Sequence, residues 1–283
     1  MKMPRKRFFL LVPLALFALV YIWGAVMLAM RDDPVAILDK PASGDKSIAI
    51  FGASGTAGDG ILEAALESPD IQQIQVITRR STPRIERGVA SGKVRMTLHQ
   101  DYMDYSAIED QIGAVDAVYW AIGISSIGVE EKAYGTIHVD YPASFVAKWL
   151  SVSDKPAISF HYISSSDISD DSTAMWAREK VRAEKTLFKL AEGTKLRVIA
   201  YRPDYIGPTD EEAHLGQTLL YGFFAPIGAA VKANQIGKAM VEVTARSDEF
   251  ENGRKLGTRS IIRYADAYDR RVSRVSPRGA SSR

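Results

Sequence analysis

The stretch Ile48-Ala49-Ile50-Phe51-Gly52-Ala53-Ser54-Gly55-Thr56-Ala57-Gly58 decides the fold. A short apolar strand runs into three glycines spaced G-x-x-G-x-x-G, and alanine-rich helical sequence follows through Ile61, Leu62, Ala64, Ala65 and Leu66. Strand, glycine turn and helix, in that order, are what a pyrophosphate-binding turn requires. Gly52 permits the tight exit from the strand, Gly55 lets backbone approach phosphate, and Gly58 lets the helix pack closely. The first N–H groups of the helix then face an anion. Gly52, Ser54, Gly55, Thr56, Ala57 and Gly58 are therefore candidate dinucleotide contacts.

The next strand, Ile74 to Thr78, is followed directly by Arg79-Arg80. An acid at this tip would accept from a ribose 2′-hydroxyl, whereas arginine accommodates a 2′-phosphate. Two guanidiniums stand there, each a planar fork suited to phosphate. The expected cofactor is NADP(H) rather than NAD(H).

Beyond the turn, composition mostly excludes. The chain has 283 residues with 46% apolar and 25% charged side chains, which is ordinary globular usage. A net charge of +2 is too small to argue for nucleic acid, none of which is expected, and with no cysteine there is no disulfide or thiolate chemistry. His99, His138, His161 and His214 lack metal-ligand spacing and are expected as satisfied surface or core groups; no metal is expected. No G-x-S-x-G elbow supports a serine hydrolase.

The amino terminus departs from this pattern. A basic flank (1–7, with Lys2, Arg5, Lys6 and Arg7) precedes an uncharged run from Phe8 to Met30. Such a run is long enough to cross a hydrocarbon core of about 30 Å as a helix. A cleavable signal peptide has a shorter apolar stretch and a small-x-small cleavage site. Residues 8–30 are thus expected to be an uncleaved transmembrane anchor, which makes the protein a single-pass membrane protein. Charge bias predicts a cytoplasmic amino terminus. That would place the main domain on the far side, where a free NADP(H) pool is not guaranteed, so the side of the domain stays open.

Residues 31–46, with Pro34, Pro41 and Gly44, read as a linker. From 47 to 265 strand-like and helix-like segments alternate. Strands are expected at 47–51, 74–78, 94–98, 115–121, 158–164 and 196–201, and helices at 57–67, 104–112, 130–150 and 174–192. The fold class is α/β, a single doubly wound parallel-sheet (Rossmann-like) domain. The apolar stretch from His214 to Val231 is expected as a buried helix broken by Gly222 and Pro226, with a lid or a membrane-dipping patch as alternatives. Residues 266–283, basic and without apolar period, are expected to be a disordered tail.

With these pieces placed, the chain resembles the short-chain dehydrogenase/reductase superfamily over residues 47–265, most of all its atypical branch. That branch includes reductases, assembly factors and regulators. The resemblance implies that Asp101 meets the adenine and that Ala121-Ile122-Gly123 borders the cofactor ribose. It also implies that Arg202-Pro203 lies near the nicotinamide, although Asp204 replaces the family's third-position glycine. The family's chemistry rests on Tyr-x-x-x-Lys preceded by a serine. Here Ile163-Ser164-Ser165-Ser166 precedes Trp176-Ala177-Arg178-Glu179-Lys180. Lys180, Ser165 and Ser166 take the catalytic positions, and Trp176 stands where the tyrosine should be. An indole N–H is donor only, so Trp176 supplies no general acid. Tyr162 and Tyr205 lack supporting spacing.

The favoured reading is a membrane-anchored NADP(H)-binding protein with little turnover, in a cofactor-sensing or assembly role. The alternative is an NADPH-dependent reductase or epimerase-like enzyme acting on a small or lipophilic substrate. A membrane scaffold with a vestigial nucleotide fold is a third. Its small-molecule substrate or protein partner is not specified by the sequence.

Overall fold

The computed structural model describes residues 15–26, 34–38, 45–211 and 215–275. Helix α1 covers 15–26. The domain then runs β1 (Lys46–Phe51), α2 (Thr56–Glu67), β2 (Ile71–Thr78), α3 (Pro83–Ala90), β3 (Val94–Leu98), α4 (Glu109–Gly113) and β4 (Ala117–Trp120). There follow α5 (Glu131–Gly135), a π-helical turn (Thr136–Asp140), α6 (Tyr141–Val152), β5 (Ile158–Ile163), α7 (Met175–Ala191) and β6 (Leu196–Arg202). The chain continues through β7 (Tyr205–Gly207), α8 (Leu215–Phe224), β8 (Ala230–Lys232), α9 (Ala233–Ala245), β9 (Arg254–Gly257) and α10 (Thr258–Val275).

Seven strands form one sheet in the order β3-β2-β1-β4-β5-β6-β9, all parallel. Parallel strands covered on both faces need continuous apolar runs, and Ile48–Phe51 and Ala117–Trp120 are almost wholly buried. One face carries a core of Ile48, Ile50, Ile61 and Met240 beneath α2, α9 and α10. The other is aromatic, with Phe51, Trp120, Phe145 and Trp149 packed together. Strand order reverses between β1 and β4, so their carboxyl ends flank the crevice where doubly wound sheets hold ligands.

All six expected strands are present. β9 extends the sheet, and β7-β8 form a separate parallel pair. The helix expected at 130–150 is interrupted by the π turn. α3, α9 and α10 were not anticipated. α9 crosses α2 almost backbone to backbone: a Cβ on Gly60 would stand 2.4 Å from Ala233, and one on Gly237 2.8 Å from the Ile61 Cα. Small residues set the close approach, while Ile236, Met240 and Val243 of α9 join Ile61 and Leu62 of α2 in the core.

Four regions depart from expectation. Among the described residues no helix is long and apolar enough to cross a membrane. α1 spans 15–26, about 18 Å at 1.5 Å per residue; 1–14 and 27–33 lie outside the described residues. The linker 31–46 is fastened where it is described, since Arg270 donates to the Val35 carbonyl at 2.9 Å and Arg246 to that of Ala36 at 2.5 Å. α8 buries no residue, contrary to the buried helix expected over 214–231.

The disordered tail expected at 266–283 begins instead as the last turns of α10. Arg271 is buried there and bonds both oxygens of Asp70, at 3.0 and 2.6 Å, and Glu242 at 2.8 Å. Arg246 closes the other side of Glu242 at 2.8 Å. Residues 276–283 lie outside the described residues.

This network predicts a large effect for a residue that reads as tail. Arg271→Met removes the bidentate partner of buried Asp70 and leaves buried Glu242 with Arg246 alone, and should cost about 3–5 kcal/mol in chemical denaturation. The exposed Arg274→Met should stay within about 0.5 kcal/mol. Equal, small effects of the two would remove the ion network from the account of stability.

Candidate functional site

The glycine turn is built by close approach of backbone. Gly52 has φ +82°, and a Cβ there would meet Ala121 C at 2.7 Å. A Cβ on Gly58 would stand 2.0 Å from the Gly52 carbonyl oxygen. Gly55 donates to Gly52 O at 3.0 Å and begins α2 with no side chain capping it. The first N–H groups of α2 are therefore left for an anion.

Two clefts meet at this turn. The first, about 260 Å³, is lined by Gly52, Ser54, Gly55, Thr78, Arg79, Arg80, Tyr102 and Ala121–Gly123. Arg79 and Arg80 are exposed, and Arg80 donates to the Ser54 carbonyl at 3.1 Å. The second, about 500 Å³, shares Gly55 and Ala121–Gly123 with the first. It continues past Thr56, Ala57, Ser164, Ser165, Trp176 and Lys180. One groove thus runs from the two arginines, across the glycines, to Lys180.

Trp176 and Lys180 share one face of α7, four residues apart. Lys180 is buried; its Nζ donates to the Ile163 carbonyl at 2.9 Å and lies 3.4 Å from the Tyr162 hydroxyl. Desolvation pushes its pKa down to about 7, opposed by Glu184. Glu184 is itself gripped by Arg202 at 2.8 and 2.6 Å.

Some expected residues stand elsewhere. Arg202 and Pro203 do not line the groove: Arg202 turns to Glu184, and Tyr205 and Ile206 form the wall instead. Ser166 stands outside, its N–H donating to Pro203 O at 3.1 Å, whereas Ser164 faces in. Asp101 is exposed and caps the Met103 N–H at 2.9 Å, while its neighbour Tyr102 lines the cleft. Gly58 is buried beneath the turn rather than in the groove.

Tyr134 and His138, one helical turn apart, also line the cleft, with ring centroids 4.1 Å apart. Neither was expected at the site: Tyr134 is not among the candidate residues, and His138, expected as a satisfied surface or core group, lines the cleft instead; their i, i+4 spacing was the available signal. The His138 Nε2 sits 3.3 Å from both the N and O of Ile124. Burial and the nearby Lys180 charge push its pKa down to about 3. Tyr134 is pushed up to about 12, by burial first and then by Glu179. His138 Nδ1 and Ser164 Oγ are buried without a hydrogen-bond partner. A polar ligand in the cleft would relieve that cost, so the groove suits an anionic, hydroxyl-rich molecule. His161 meets the expectation of a core group, bonded to Ser159, Tyr201 and Thr244. Among the described residues no cluster could hold a metal ion.

Lys180 gives the ligand-free site a pH signature. Its folded pKa, about 7, lies below the unfolded value of about 10.4. The unfolded chain therefore binds the extra proton between those values, and stability rises with pH across about 7–10. Denaturation midpoints at pH 7 and pH 9.5 should show this gain, and Lys180→Met should flatten it. An unchanged slope in the variant would mean that Lys180 is solvated.

No family model matches the chain. A curated protein, "Leucinostatins biosynthesis cluster protein T" of Purpureocillium lilacinum, is 26% identical over 174 residues. The match spans 61% of each chain. Among solved structures, a 3-oxoacyl-[acyl-carrier protein] reductase from Brucella melitensis in complex with NAD superimposes with TM-score 0.58 at 18% identity, covering 78% of this chain and 98% of its own. The NADPH-dependent 3-quinuclidinone reductase from Rhodotorula rubra gives 0.59 at 14%, covering 81% and 95%. With its parallel sheet, reversed strand order and glycine turn, this chain has the doubly wound Rossmann fold that these reductases also adopt.

Proposed function

We propose that the protein is an NADP(H)-dependent reductase of the short-chain dehydrogenase/reductase type, held at a membrane through residues 8–30 and acting on a small or lipophilic substrate. The observation that carries this reading is the single groove joining Arg79 and Arg80, the uncapped turn and Lys180. In it the α2 N-terminus would hold pyrophosphate, the arginines a 2′-phosphate, and Lys180 the hydroxyls of the second ribose. The bound cofactor supplies a hydride. Ser164, whose Oγ has no partner within the protein, donates to the substrate oxygen and fixes its position. The proton that completes an alcohol comes from a phenol other than the family's, because Trp176 supplies none. Tyr134 and Tyr205 both line the cleft. The relatives bound to NAD or dependent on NADPH support a nicotinamide cofactor.

Trp176 favours one other reading: cofactor sensing with little turnover. Loss of a general acid removes about 10²–10⁴ in rate. NADPH oxidation over a panel of lipophilic ketones and enones separates the two. For a reductase, Tyr134→Phe or Tyr205→Phe should lower kcat by that factor without weakening NADPH. For a sensor, the unmodified protein is silent and Trp176→Tyr gains activity. Silence in both would retire the reductase.

Cofactor choice is a separate test. NADPH should bind at least tenfold tighter than NADH, about 1.4 kcal/mol. Arg79→Asp with Arg80→Ala should erase or reverse the preference in a nucleotide titration. Equal affinities in the unmodified protein would defeat the assignment of the arginines.

A further inference from the structure

Two helices present apolar side chains to solvent and bury almost none. α8 carries no charged residue and no buried one. Its Leu215, Leu219 and Phe223 fall at i, i+4 and i+8 on an exposed stripe. α1 is apolar on every side. Phe17, Tyr21 and Gly24, at i, i+4 and i+7, form the face that meets the domain. Phe17 stacks on Phe223 at 6.1 Å and Tyr21 lies tilted against it at 5.5 Å, the Tyr21 hydroxyl donates to the Phe223 carbonyl at 2.6 Å, and Gly24 abuts Ile227. The other faces carry Leu16, Leu19, Val20 and Trp23, each about two-thirds exposed.

A helix that is apolar all round is stable only when enclosed. A second copy of the chain would cover one face of α1 and leave the rest in water. Lipid covers every face at once. The sequence around α1 matches that occupant: no charge from Phe8 to Met30, and Lys2, Arg5, Lys6 and Arg7 before it to meet anionic headgroups. Because α8 is tied to α1 through Phe223, it shares that surroundings. α8 also borders the groove, with Gln217 in its lining and Phe224 tilted against Tyr205 at 6.2 Å.

We propose that α8 enters the lipid beside α1, the two forming one platform that holds the mouth of the cleft at the membrane surface. This rests on the membrane association proposed above. The chain has no cysteine, so a single one reports its own surroundings. The full chain would be placed in nanodiscs of phosphatidylcholine and phosphatidylglycerol doped with spin-labelled acyl chains. A polarity-sensitive fluorophore would sit at Leu219→Cys (α8), Leu19→Cys (α1) or, as the control at the far end of α7, the exposed Glu192→Cys. Blue-shifted emission quenched at least twofold at Leu219→Cys and Leu19→Cys, but not at Glu192→Cys, is the expected result. Quenching at Leu19→Cys alone would overturn the platform and leave the anchor standing. Quenching at neither would overturn both. An unquenched blue shift at Leu219→Cys that grows with protein concentration would make a second copy the occupant and overturn the proposal.

Discussion

The structure depends on three backbone segments packed with no room between them for a side chain. Gly52 presses against Ala121 at the tips of β1 and β4, and Gly58 presses against the Gly52 carbonyl. Only the absence of Cβ atoms lets the two strand tips and the start of α2 converge. Behind that point α2 is held from its other side, where Gly60 and Gly237 bring α9 into backbone contact. The helix is clamped between sheet and α9, so its N-terminus points into the crevice with little freedom. Everything else in the groove takes its position from that clamp.

Charge is arranged around Lys180 with the same economy. Glu184, the carboxylate that raises its proton affinity, is engaged bidentately by Arg202. Lys180 is therefore left with a backbone carbonyl and a phenol as partners, in a site that strips it of water. The unpartnered Ser164 Oγ and His138 Nδ1 open the same deficit. A site with one desolvated cation and two idle polar atoms gains by closing on a ligand that carries hydroxyls. In the resemblance Arg202 belongs to the cofactor; in this chain its work is to occupy Glu184.

Local sequence made the strands and the glycine turn legible, because a parallel strand announces itself by an unbroken apolar run and the turn by fixed spacing. What stayed hidden depends on partners far along the chain. Arg271 reads as one more basic residue of a tail until Asp70, 201 positions away, and Glu242 are placed beside it. In α9 the apolar positions Ile236, Met240 and Val243 enter the core, but its close approach to α2 rests on Gly237 and Ala233, whose role appears only once Gly60 is placed opposite them. At the site, Trp176 and Lys180 share a helix face as their spacing implied. Ser164 rather than Ser166 faces the cleft, since the turn after β5 is fixed by a long-range bond to Pro203. The apolar run over 214–231 misled for the opposite reason: hydrophobicity was read as burial within the domain, whereas α8 lies on the outside of it.

The short strand β7 joins these two halves of the molecule. Tyr205 and Ile206 form a wall of the cleft, while the next residue, Gly207, lies so close to Tyr221 of α8 that a Cβ would come within 2.6 Å of the ring. Among the described residues β7 pairs with one strand, β8. A three-residue pair of strands is a weak element by itself. Its position is thus set by what packs on it, and on this side that is α8 through Tyr221 and Phe224. Whatever surrounds the exposed stripe of α8 therefore bears on the wall of the cleft without touching a residue inside it.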